Sequence, residues 1–64
     1  MENENEPKTT IIAETANFIA WQSEEPDSEI LFHIEINNVT LHFFLEEWQE
    51  FIDLIKILNK KFIN

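Results

Sequence analysis

The spacing of hydrophobic and polar positions changes once along this chain. Ile30, Phe32, Ile34 and Ile36 alternate with Leu31, His33 and Glu35, close to the period of two expected for a strand with one buried face. Residues 10–14, 17–23 and 39–44 are likewise rich in Ile, Val, Phe, Thr and Trp, side chains that suit a pleated, half-buried surface. With residues 29–36 they predict four strands. From Leu45 onward the period lengthens: Trp48, Phe51, Ile52, Ile55, Leu58 and Phe62 recur three and four residues apart, which predicts a helix with one apolar stripe. The expected fold is α+β, a four-stranded antiparallel β-meander followed by one C-terminal α-helix packed on one face of the sheet.

The breaks between these segments set the expected pairing. The chain has no glycine, so its turns must be built from Asn, Asp, Pro and Ser. Asn37-Asn38 reads as a two-residue hairpin loop, because asparagine tolerates positive φ better than most residues. That loop sets Ile36 against Val39, Ile34 against Leu41 and Phe32 against Phe43, apolar on both sides each time. A slip of one residue would mix the two faces. Glu24-Glu25-Pro26-Asp27 reads as a second turn fixed by the proline, and Thr15-Ala16 as a third break. If Ser23 faces Ser28 across the proline turn, Trp21 meets Ile30 and Ile19 meets Phe32. The expected helix-covered face then holds Ile19, Trp21, Phe32, Ile34, Leu41 and Phe43.

Charge supports the helix. Glu46, Glu47 and Glu50 lie in its first turns and Lys56, Lys60 and Lys61 toward its end, complementing the helix dipole. No Ser, Thr, Asp or Asn caps its start. Over the whole chain, 13 acids face four lysines and no arginine, a formal net charge of −9. Direct nucleic-acid binding and adhesion to anionic membranes are disfavoured, since both draw on cationic side chains. The acidic opening Met1-Glu-Asn-Glu-Asn-Glu is unlike a signal peptide, and no apolar run is long enough to span a bilayer. A cytoplasmic location is expected. Residues 1–8 are expected to form a disordered, solubilising acidic tail, and residues 9–64 a single domain.

With 64 residues and no cysteine, neither a disulfide framework nor a thiolate zinc site is available to a core of marginal size. Tight packing or a partner subunit must make up the difference. In the expected register Ile11, Ala13, Phe18, Ala20, Leu31 and Phe44 point away from the helix, and Leu54 and Ile57 lie off the main helical stripe. A contiguous apolar patch of this kind marks an interface, so Phe18, Leu31, Phe44, Leu54 and Ile57 are the candidate contact residues of a homodimer or partner.

His33 and His42 fall opposite each other on the far face, as a non-hydrogen-bonded pair with Cα atoms about 4.5 Å apart. Two imidazoles there can contribute to a transition-metal site, with Glu35 or a partner's residue as a further ligand. They can also form a pH-sensitive contact, or be two histidines of a hairpin without a ligand. No other constellation points to chemistry. Ser23 and Ser28 flank a turn with no histidine expected nearby, and a phosphate loop needs glycine. No carboxylate stands in an evident apolar pocket. No catalytic residue, metal or cofactor is therefore assigned.

The hairpin N-V-T-L-H-F from Asn38 to Phe43, running into an acidic amphipathic helix, resembles a pattern in short uncharacterised bacterial proteins. Together with Ile12-Ala13-Glu14-Thr15-Ala16-Asn17-Phe18 and Trp21, it is similar to small hypothetical proteins of cyanobacteria. The resemblance rests on a turn and a helix start, and implies no activity, ligand or functional residue. The sequence thus points to a small non-catalytic protein–protein interaction module, whose expected partners are a second copy or an unidentified protein. Its alternatives are a metal- or pH-responsive protein using His33 and His42, and an acidic inhibitor that imitates nucleic acid.

Overall fold

In the computed structural model, residues 8–63 are described. Four strands, β1 (Lys8–Glu14), β2 (Phe18–Glu24), β3 (Ile30–Ile36) and β4 (Val39–Phe43), precede one helix, α1 (Leu45–Ile63). The strands form a single antiparallel sheet in the order β1-β2-β3-β4, so the ββββα architecture is as expected. The acidic tail lies outside the described residues except for Lys8, which already belongs to β1 and pairs with Glu24.

The asparagine hairpin has the expected register: Ile36 pairs with Val39, Ile34 with Leu41, His33 with His42 and Phe32 with Phe43. Asn37 takes up the left-handed conformation, with φ of 57°, which its short polar side chain tolerates.

The proline turn differs from expectation. Ser28 donates its backbone N–H to the Glu25 carbonyl and Glu25 donates to the Glu29 carbonyl, giving a three-residue loop with Ser28 left-handed at φ 72°. This is a turn followed by a left-handed residue, a position that glycine usually fills. Asp27 steadies it by accepting the Glu29 N–H at 3.1 Å.

The turn, centred later in the chain than expected, pairs Trp21 with His33, Ala20 with Ile34 and Gln22 with Phe32. That is three residues from the expected register, an odd number, so β2 turns over. Phe18 and Ala20 therefore share the helix-side face with Phe32, while Ile19 and Trp21 lie on the far face with His33. An extra residue at Ile12 in β1 has a similar effect. Ile11 pairs with Trp21 and Ala13 with Ala20, so Ile11 stays on the far face and Ala13 is carried to the helix side.

The helix starts at the end of β4. Phe44 occupies the cap position, and its N–H donates to the Glu47 carboxylate at 2.9 Å, the return half of a capping box. Docking is aromatic. Trp48 stacks on Phe32 with centroids 4.9 Å apart and meets Phe43 edge-on at 5.5 Å, while Phe51 lies 5.1 Å from Phe43. Offset and edge-on pairs of this kind add to the burial of area alone. α1 touches β3 and β4 and reaches neither β1 nor β2. Its stripe is half-buried at Trp48, Phe51 and Ile52, but Ile55, Leu58 and Phe62 remain 42%, 44% and 84% exposed. Among the described hydrophobic residues only Phe32 is buried.

Candidate functional site

The far face gathers the polar side chains that carry chemistry. Ile11, Trp21, His33 and His42 form a row across all four strands. Trp21 stacks on the His33 imidazole with centroids 5.0 Å apart and planes 19° from parallel. His42 meets the same ring edge-on at 5.0 Å. Diagonal to this row stands Ser23, and Glu25 reaches in from the proline loop. The contacts form a chain: Ser23 Oγ donates to Glu25 Oε2 at 2.8 Å, Ser23 Oγ lies 2.8 Å from His33 Nε2, and His33 Nδ1 lies 2.8 Å from His42 Nδ1. Among the described residues, Ser23 and His33 are the buried polar ones, and neither leaves a buried side-chain polar atom without a partner.

One set of protons satisfies all three contacts. A carboxylate only accepts, so the Ser23 hydroxyl must donate to Glu25. That leaves Ser23 Oγ as the acceptor for His33 Nε2–H. His33 Nδ1 then carries a lone pair and accepts from His42 Nδ1–H. His42 Nε2, on an exposed ring, is left as an outward acceptor. The sequence reading set no histidine beside Ser23; the turned-over β2 puts one there. Yet the bond polarity runs from His42 toward Glu25. The Ser23 proton is held by the carboxylate, not by the imidazole, the reverse of the order in which histidine activates a serine nucleophile.

The same geometry bears on metal binding. Zinc–nitrogen bonds of about 2.0–2.1 Å place two tetrahedral imidazole ligands about 3.3 Å apart. The two Nδ1 atoms are closer than that and are directed at each other, which is the arrangement of a shared proton. Glu35 pairs with Ile19 and Thr40 rather than joining the histidines, and the described residues include no group of three or more His, Cys, Asp or Glu placed to hold a metal ion.

Protonating His33 is disfavoured. Burial holds its pKa below the ordinary 6.5, the neighbouring His42 acts in the same direction, and the Glu25 carboxylate partly opposes both. A proton on His42 Nε2 leaves every contact in the chain intact. A second proton, on His33 Nδ1, would set two N–H groups against each other across 2.8 Å.

The candidate contact residues divide between surfaces. Phe18 is 47% exposed on the helix side, Leu31 is half-buried on the far face, and Phe44 caps the helix. Leu54 and Ile57 are exposed on α1 beside and away from its docked stripe. They do not form one patch. Sequence reasoning missed the open helix-side depression lined by Ala13, Phe18, Ala20 and Ile34, because the expected register put three of those four on the other face. Among the described residues, no helix is long and apolar enough to cross a membrane. Compared with protein-family models, with characterised proteins and with solved structures, the chain has no match.

Proposed function

We propose that this chain is a small cytoplasmic protein–protein interaction module that works as a homodimer. The observation that carries this reading is the incomplete core. Phe32 is the one buried hydrophobic residue among those described, and 13 large apolar side chains are at least 40% exposed. A domain this small has little stability in reserve, and uncovered apolar surface on this scale is typical of a face that meets a partner. Sedimentation of the full chain at micromolar concentration tests the reading. The expected result is a species of twice the monomer mass of 7.7 kDa; a monomer across the whole range would refute it.

The imidazole contact at 2.8 Å favours one second reading, a pH-responsive role for His33 and His42. Titrating both rings by NMR tests it. The His33 ring should titrate below the ordinary 6.5, and a His33 titration at or above that value would oppose it.

A further inference from the structure

Resting on the self-association just proposed, we infer that the distal half of α1 seats on the helix-side face of β1 and β2 of a second copy, and reciprocally. Two observations meet here. The helical stripe continues past its own sheet through Ile55, Leu58 and Phe62, which is uncovered. On the same side of the molecule, β1 and β2 receive no helix, and Ala13 pairs with Ala20 to leave a depression walled by Phe18 and Ile34.

Each chain thus carries both a projecting apolar ridge and an apolar hollow that its own ridge does not fill. A two-fold arrangement satisfies both at once, because each subunit presents the same two surfaces to its partner. Small side chains opposite one another make room for a large one, and Phe62, the most exposed of the described large hydrophobic residues at 84%, is the natural knob for the Ala13–Ala20 floor.

Charge selects a second copy as the occupant. After Asp53 the helix carries Lys56, Lys60 and Lys61 and no acid, whereas residues 8–44 carry six acids and Lys8 alone. Glu14, paired with Ile19, borders the hollow, whose own surface is apolar. The cationic end of one chain therefore meets the anionic sheet of the other, an attraction that also orients the encounter. On the far face the central groups, Ser23 and His33, already satisfy each other.

The test uses the full chain. Phe62→Glu, at a position that contributes little to the monomer, should raise the dimer dissociation constant about tenfold or more with the circular dichroism spectrum unchanged. Ile11→Glu on the far face should change it by less than about twofold. Because the chain has no cysteine, Phe62→Cys and Ala20→Cys chains can be mixed under mild oxidation. The cross-linked product should be the mixed dimer in preference to either homodimer. A dimer that survives Phe62→Glu but is lost with Ile11→Glu, or that gives no preferred mixed product, overturns this seating while self-association stands. A wild-type monomer would remove both.

Discussion

His33 is held neutral by its surroundings, and this gives the fold a direction of pH response. Its folded pKa lies below the ordinary 6.5 because it is buried and faces His42. The unfolded chain therefore binds more protons at this residue as the medium turns acid, and stability must fall with it. The contribution is whole above pH 6.5 and is lost as pH drops toward the lowered folded value. Urea denaturation should show a lower midpoint at about pH 5.5 than at roughly pH 7.5, and His33→Gln should shrink the difference. The His33–His42 contact was legible in the sequence because a two-residue loop fixes its register. Ser23 and Glu25 were not, since their approach to His33 depends on a loop whose length the proline alone does not determine.

At the scale of the element, the outcome turned on the two turns flanking β3. Asn37-Asn38 left one reasonable register, with apolar residues opposite apolar residues. The proline turn left two, and apolar pairing favoured the wrong one: Trp21 opposite Ile30 looks better than Trp21 opposite His33. Aromatic stacking on an imidazole and a buried serine–histidine hydrogen bond compensate for that choice, and hydrophobic patterning does not register either. The cap was present in the sequence as Glu47, three residues after Phe44, but a phenylalanine at the cap position hid it. Ser28 is a lasting cost, since a residue with a Cβ held at φ 72° is strained by about 1 kcal/mol. Ser28→Gly should raise stability by roughly 0.5–1 kcal/mol, read as a higher urea midpoint with an unchanged slope.

For the whole molecule, the proposed self-association would make stability and association one equilibrium. A chain whose helix is anchored by Trp48 and Phe51 and exposed beyond Ile52 gains further burial from the proposed partner. Its melting temperature should therefore rise with protein concentration, as mass action requires when the folded form alone associates. Differential scanning calorimetry over a hundredfold range, roughly 10 μM to 1 mM, checks this; a constant melting temperature would mean that the monomer is the folded unit. That the surplus apolar surface exists was legible from the sequence. Where it lies was not, because the face of each β2 residue followed from the loop.

The extra residue at Ile12 sits on β1, one rim of the sheet, and the other rim is β4, only five residues long. A distorted rim and a short one both make poor templates for strand-on-strand growth. Cross-β fibres need an even, extended edge to add the next chain, and neither side of this sheet offers one. A molecule with so much greasy surface is thereby steered away from endless stacking, and the self-association proposed above joins side chains rather than strand edges.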